Sequence, residues 1–159
     1  MNEQNTNEQF MKRAIELSEQ NIKDGGGPFA AVIVKDGKII AEGTNRVTSE
    51  NDPTAHAEVT AIRNAAKKLG TFHLNGCQIF TSCEPCPMCL GASYWAHISK
   101  IYYGNSREDA REIGFDDEFI YREIPLQREN RSIPMEELLS DEAHKCFEQW
   151  LKKDDKIAY

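Results

Sequence analysis

The segment CQIFTSCEPCPMCLGASYW, residues 77–95, determines how this chain is interpreted. Its first part, CQIFTS (77–82), predicts a β-strand, and Pro85 ends that strand before a helix expected from Cys86 to Trp95. Three cysteines, Cys83, Cys86 and Cys89, fall within seven residues of this junction. In a chain without a secretion signal, such crowding indicates a metal site or redox chemistry before it indicates disulfides.

Either of two cysteine pairs in this segment could bind a metal, because Cys83 and Cys86 form a C-x-x-C pair just as Cys86 and Cys89 do. We prefer Cys86 and Cys89, because residues three apart on a helix can bind the same ion. Cys83, at the end of the strand, is expected to be a buried thiol. A lone C-x-x-C is also typical of structural zinc knuckles, but such a site needs a second ligand pair. The remaining Cys and His residues form no second tight pair. Cys77 and Cys146 are expected to pack in the core, and His73, His97 and His144 are expected to be structural or surface residues.

The second informative stretch is NDPTAHAEVTAIR, residues 51–63, at the start of a helix predicted from about Thr54 to Leu69. His56 would add a third ligand to the two cysteines. One imidazole nitrogen and two thiolates form a ligand set typical of zinc, although iron can bind the same ligands. Three protein ligands leave one position open, which is typical of a catalytic zinc site.

Glu58 follows His56 by two residues and is the candidate general base. Zinc with two thiolates and a neutral imidazole has no net formal charge, so its water should be less acidic than water on a three-histidine zinc. A carboxylate beside the metal would then help to remove the proton. The positive ends of two helices facing the metal would favour the thiolate forms of the cysteines.

The rest of the chain predicts helices alternating with short strands. A helix is expected at residues 8–23, a hairpin of strands 30–35 and 38–43 around Asp36-Gly37, and a strand at 100–104. The segment 107–114 predicts a helix, GFDDEFIYREI (114–124) an irregular stretch, and residues near 136–152 a last amphipathic helix. This order indicates an α/β fold with a mixed sheet covered by helices on both faces.

Composition limits the class of protein. The 159 residues fit one domain, 1–159. The net charge of −7 argues weakly against a polyanionic partner, and no nucleic acid is expected. No apolar run is long enough to cross a membrane. The polar start MNEQNTNEQF has no apolar segment of a secretory signal, so a cytoplasmic protein is expected.

The pair H-A-E and P-C-x-x-C, about 30 residues apart, resembles the signature of the zinc-dependent cytidine and nucleobase deaminases. Within that superfamily the chain is most similar to the bacterial guanine deaminases. The stretches that carry this similarity are GGPF (26–29), the region of Asn45, residues 51–63, TSCEPCPMCLGA (81–92), GFDD (114–117), FIY (119–121) and the C-terminal Tyr159.

The resemblance implies a cytidine-deaminase-like three-layer α/β/α sandwich with a central mixed five-stranded sheet. It implies one zinc ion per subunit and hydrolysis of guanine to xanthine and ammonia. It also implies a homodimer in which the C-terminal segment is exchanged and closes the partner's active site.

The resemblance also suggests substrate contacts. Phe29 would stack on the purine, and Asn45 would pair with its ring edges; core packing and a turn are the alternatives for these two. Asp117 would hold the 2-amino group or transfer its protons, with a plain surface position as the alternative. Tyr159 would cap the ring, although a last residue is by default unstructured. The backbone N–H of Ala57 would face the substrate.

Other functions fit the zinc motifs. A tRNA adenosine deaminase is the nearest alternative, but such enzymes usually carry a basic C-terminal region, whereas this one is acidic and aromatic. A cytosine or nucleoside deaminase comes next. A non-catalytic zinc module is a third alternative, and Glu58 argues against it, because a structural site has no use for an unliganded carboxylate.

Overall fold

The computed structural model describes the backbone of residues 3–158 and side chains from residue 6 to residue 158. The elements follow in the order α1 (Glu3–Lys23), β1 (Ala30–Lys35), β2 (Lys38–Thr44), α2 (Val47–Glu50), α3 (Ala57–Leu69), β3 (Cys77–Cys83), α4 (Pro87–Trp95), β4 (Lys100–Asn105), α5 (Arg107–Glu112), α6 (Glu118–Glu123), a 3₁₀ turn (Arg128–Asn130) and α7 (Ser140–Lys152). In the described part of the chain, no helix has the length and apolarity that a membrane span requires.

The sheet is mixed and has the strand order β2-β1-β3-β4. Strand β1 pairs antiparallel with both β2 and β3, and β3 pairs parallel with β4. The connection from β3 to β4 runs through α4, as parallel neighbours require. The mixed sheet predicted from the sequence is therefore confirmed.

Alternate residues of β1 enter two different cores, one on each face of the sheet. Ala31 and Ile33 pack with the alanines of α3, whereas Val32 and Val34 pack with Ala14 of α1 and with Phe80. This alternation explains why β1 is a nearly continuous apolar run. Burial of one large side chain such as Ile33 contributes about 1.5–3 kcal/mol to the free energy of folding.

Two local features place β1 and β2 next to helix α3. Asp36 and Gly37 have φ of 49° and 70°, so the β1–β2 hairpin turns through two left-handed residues, as its Asp-Gly pair predicts. At Gly43, a Cβ atom would lie 2.4 Å from the carbonyl oxygen of Ala57. The glycine therefore lets β2 touch the backbone of the first turn of α3, which carries the H-A-E motif.

The prediction of five strands is wrong: the sheet has four strands in the described residues. The four strands predicted from local pattern are all present, and the fifth was implied by the resemblance alone. The later segment richest in apolar residues, IPMEELL (133–139), contains a proline and two adjacent glutamates and forms no strand. A short helix, α6, occupies part of the stretch that was expected to be irregular.

The chain separates into two compact units, one up to Glu118 and one from Phe119 onward. The first unit contains the sheet and helices α1 to α5. The second contains most of α6, the 3₁₀ turn and α7. Within it, the guanidinium of Arg131 donates to the carbonyl oxygens of Ile124 and Leu126, at 2.9 and 3.2 Å.

No described side chain of the second unit is buried. Helix α7 is amphipathic, and Phe147, Trp150 and Leu151 recur on one side of it at spacings of three and four. Phe147 and Leu151 are 69% and 70% exposed. Cys146, expected in the core, is also exposed, because α7 buries none of its side chains in this chain.

Candidate active site

The two zinc motifs lie at the first residues of two helices. His56 is the N-cap of α3 and Cys86 is the N-cap of α4. Both have extended backbone, with ψ of 158° and 168°, and neither side chain caps its own helix. Pro87 follows Cys86 at the first helical position, which suits proline because it has no N–H to satisfy. Both side chains are thus free to point away from their helices.

His56, Cys86 and Cys89 form a group of potential metal ligands whose donor atoms all lie within 4.8 Å of one another. His56 Nδ1 lies 3.6 Å from Cys86 Sγ and 3.5 Å from Cys89 Sγ. Tetrahedral zinc with ordinary bond lengths separates a nitrogen ligand from a sulfur ligand by about 3.6 Å. The distances therefore fit a zinc ion, and no other group of three or more such ligands occurs among the side chains described.

The structure favours one of the two cysteine pairs that the sequence left open. Cys83 is the last residue of β3, is buried, and donates a weak hydrogen bond from Sγ to the carbonyl oxygen of Ser106 at 3.6 Å. Burial raises the pKa of its thiol to about 12. It is absent from the ligand group, so Cys86 and Cys89 are the pair that faces His56.

Without a metal, the two thiols of the group interact strongly. A hydrogen bond from Cys89 and one from His56 lower the pKa of Cys86. The hydrogen bond with Cys86, together with burial, raises the pKa of Cys89. A cation on these ligands would stabilise both cysteines as thiolates.

Glu58, the second residue of α3, is buried beside the ligand group. Because His56 precedes the helix in extended conformation, its side chain and that of Glu58 line the same cavity, although they are only two residues apart. Burial raises the pKa of Glu58 to about 7, opposed by a hydrogen bond to its own N–H. A carboxyl group with this pKa can both accept and release a proton near neutral pH.

The cavity in front of the ligand group has a volume of about 330 Å³. Six of the residues predicted for the site line it: Phe29, Asn45, His56, Glu58, Cys86 and Asp117. The rings of Phe29 and Phe115 meet edge to face there, with centroids 4.8 Å apart. Two apolar rings at the wall suit a flat aromatic ligand.

Asp117 has a carboxylate oxygen, Oδ1, that is buried and makes no hydrogen bond with any described residue. Burial and the charge of Cys86 raise the pKa of this carboxyl. An unpartnered buried acceptor is uncommon in folded proteins and costs free energy. Asp117 also lines the cavity, so its carboxylate is a candidate acceptor for a ligand N–H.

Two of the predicted residues do not line the cavity in the part of the chain that the structure describes. Cys89 is fully buried behind it but belongs to the ligand group. Ala57 is also fully buried and is not among the lining residues, so the structure gives no contact for its N–H. Tyr159 lies outside the described residues.

Several lining residues were not predicted from the sequence: Gly27, Val47, Thr48, Glu84, Ala110 and Phe115, besides Cys83. Glu84 and Phe115 stand inside the motifs TSCEPC and GFDD, so their positions carried a signal. Glu84 accepts a hydrogen bond from the backbone N–H of Arg107 at 3.2 Å. Val47 and Thr48 lie on the one-turn helix α2, for which the sequence showed no pattern.

Comparison with known proteins agrees with this geometry. Residues 4–105 match the family described as the cytidine and deoxycytidylate deaminase zinc-binding region. The guanine deaminase of Bacillus subtilis strain 168 is 54% identical over 153 residues, which cover 96% of this chain and 98% of that protein. The tRNA-specific adenosine deaminase of Aquifex aeolicus is 34% identical over 146 residues, covering 92% of this chain and 94% of the relative.

A solved structure gives the same result. The X-ray structure of guanine deaminase from Bacillus subtilis superposes with a TM-score of 0.94 at 52% identity, covering 100% of this chain and 99% of the other. The matched family region contains all three potential ligands and Glu58. The chain therefore belongs to the cytidine and deoxycytidylate deaminase family of zinc-binding proteins.

Proposed function

We propose that the chain is a zinc-dependent deaminase that hydrolyses guanine to xanthine and ammonia. The observation that carries this proposal is the cavity that His56, Cys86, Glu58 and Asp117 line together. The similarity over nearly the whole chain to a guanine deaminase supports the choice of base.

His56, Cys86 and Cys89 would hold one zinc ion per chain. When bound, the metal lowers the pKa of a water molecule and so supplies the nucleophile of the hydrolysis. Glu58 is not one of the three potential ligands, which leaves its carboxylate available for proton transfer.

Glu58 moves the protons of the reaction. It takes a proton from the attacking water and delivers it to a ring nitrogen of guanine, which makes the neighbouring C2 carbon more electrophilic. The C2–O bond forms, a further proton passes to the 2-amino group, and the C2–N bond breaks to release ammonia. Guanine and water are thereby converted into xanthine and ammonia, and Glu58 returns to its starting protonation state.

Recognition of the base rests on one donor, one acceptor and an aromatic wall. The Asp117 carboxylate accepts an N–H of the 2-amino group. The Asn45 side-chain oxygen accepts from the N–H of Val47 at 3.3 Å, which leaves the amide nitrogen to donate to an acceptor of the purine. Phe29 and Phe115 pack against the ring.

The charge of the cavity favours a base without a phosphate group inside it. Its described lining carries three carboxylates, Glu58, Glu84 and Asp117, and no lysine or arginine. A phosphate group would meet like charge there, whereas guanine is neutral and presents several N–H donors. A tRNA-specific adenosine deaminase is among the similar proteins, so a tRNA belongs in the substrate panel.

The proposal is tested by ammonia release from zinc-loaded protein against guanine, adenine, cytosine, cytidine, guanosine and a tRNA substrate. We expect release from guanine and at least about 100-fold lower kcat/KM for every other member of the panel, because a site built to pair with substrate N–H groups rejects analogues that lack them.

Release from the tRNA in preference to guanine would contradict the choice of a free base and keep the zinc chemistry. Absence of release from every member, with zinc bound, would contradict a deaminase altogether and favour a non-catalytic zinc protein.

The role of Asp117 is tested by Asp117→Asn, with the neighbouring exposed Asp116→Asn as the matched control. Loss of the carboxylate should lower kcat/KM for guanine about 10- to 100-fold, since a hydrogen bond to a charged group contributes about 1.5–3 kcal/mol. Asp116→Asn should stay within about twofold of the unchanged protein. Equal rates for both variants at equal zinc content would contradict the role of Asp117.

We also propose that the chain forms a homodimer in which the second unit packs on the partner subunit and completes its active site. The apolar side of α7, with Phe147, Trp150 and Leu151, supports this proposal, because such a surface is normally covered in a folded protein. The absence of any buried side chain among residues 119–158 supports it further.

This assembly predicts a molar mass, measured by light scattering after size exclusion, of twice the chain mass of 18.1 kDa. Phe147→Lys should shift the mass toward a single chain, because it would bury a charge in the apolar contact. Glu148→Lys changes charge at the next residue of the same helix and should leave the mass unchanged. A single-chain mass for the unchanged protein at micromolar concentration, or no effect of Phe147→Lys, would contradict the proposal.

A further inference from the structure

A closed ring of four hydrogen bonds joins helix α1 to two segments of the cavity lining, the loop after α1 and the residue after β2. The side-chain amide nitrogen of Asn21 donates to the carbonyl oxygen of Gly27 at 2.8 Å and to that of Asn45 at 3.0 Å. The N–H of Phe29 donates to the same Gly27 oxygen at 2.8 Å, and the N–H of Asn45 donates to the Phe29 oxygen at 3.0 Å. The ring thus contains the backbone of three residues that line the cavity.

Asn21 itself does not line the cavity. It lies in the last turn of α1 and is only 7% exposed. Both hydrogens of its amide go to main-chain oxygens of two separate segments, the loop after α1 and the residue after β2. The remaining links of the ring are backbone contacts between Phe29 and its neighbours, so Asn21 is the one side chain that closes it.

Gly26 makes this placement of Asn21 possible. A Cβ atom on Gly26 would lie 2.4 Å from the Asn21 amide nitrogen and 2.8 Å from its carbonyl oxygen. Any side chain at residue 26 would therefore displace the Asn21 amide. The Gly26 N–H also donates to the backbone oxygen of Asn21 at 2.8 Å, which holds the loop against the helix end.

We propose that Asn21 is a positioning residue for base binding: its amide holds the backbone of Phe29 and Asn45, two neighbouring residues of the cavity lining, in the arrangement that the base meets. The inference rests on the proposed function, because it assigns these two residues to the base. Without the amide, two carbonyl oxygens lose a donor, and Phe29 and Asn45 are joined only through their backbone. The ligand group and Glu58 lie on α3 and α4 and make no contact with Asn21 in the ring, so proton transfer should be affected less than binding.

The experiment uses Asn21→Ala, Gly26→Ala and the double variant, with kcat and KM for guanine, the inhibition constant of xanthine, and zinc content. Asn21→Ala should raise KM and the xanthine inhibition constant about tenfold, with kcat within about threefold and zinc unchanged. Gly26→Ala should change the same two constants in the same direction, because the added methyl group displaces an intact Asn21. In the double variant the methyl group has room, so Gly26→Ala should add no further effect.

Ser18→Ala is the matched control. Ser18 lies one turn earlier on α1, is equally buried, and donates only to the Ile15 oxygen of its own helix, at 2.8 Å. It should leave KM and the xanthine constant unchanged even if it lowers the melting temperature. Loss of stability alone therefore cannot imitate the expected result.

Three results would overturn the inference. One is an unchanged KM and xanthine constant in folded, zinc-loaded Asn21→Ala. Another is a fall in kcat with KM unaltered. The third is multiplication of the two single effects in the double variant. If the unchanged protein neither deaminates guanine nor binds xanthine, the proposed function fails, and the inference fails with it; in the first three cases the unchanged protein remains active and only the inference fails.

Discussion

Two helices begin at residues that face each other across the site, and this constraint organises the rest of the structure. His56 and Cys86 are N-caps with extended backbone, so their side chains leave the helix axes and converge with Cys89. Glu58 faces the same cavity because His56 is not yet helical. The sheet has to bring the starts of α3 and α4 together, and Gly43 allows α3 to touch β2 through its backbone. The strand order and the positions of both helices therefore bring the potential metal ligands together.

The charges around the potential metal ligands suit a neutral ligand that is rich in N–H donors. Two thiolates and an imidazole cancel the charge of a zinc ion, and three carboxylates line the cavity without a lysine or arginine among the described residues. Burial raises the pKa of Glu58 to about 7, and Asp117 Oδ1 has no hydrogen-bond partner among the described residues.

Local sequence signals predicted those parts of the structure that depend on local contacts. The Asp-Gly hairpin, the strand before Cys83 and the helix start at Cys86 follow from turn residues and spacing, and the structure confirms them. The helix predicted from about Thr54 begins at Ala57, because His56 and not Thr54 is its N-cap. The prediction of a five-stranded sheet was wrong, because it came from the resemblance and no sequence pattern supported a fifth strand. The positions of Thr48 at the cavity and of Asn21 beside it could not be predicted from the sequence, because they depend on contacts between distant segments. Helix spacing favoured Cys89 over Cys83 as a ligand, and the fold adds which of the two sulfur atoms lies near His56.

Glu58 is expected to transfer protons in a three-ligand zinc site. The decisive measurement is the rate of ammonia release from guanine by zinc-loaded Glu58→Gln, with zinc measured in the same sample. We expect one zinc per chain, as in the unchanged protein, and a turnover lower by about 10²- to 10⁴-fold, the contribution typical of a general acid–base group. Near-normal turnover with zinc bound would contradict this role of Glu58.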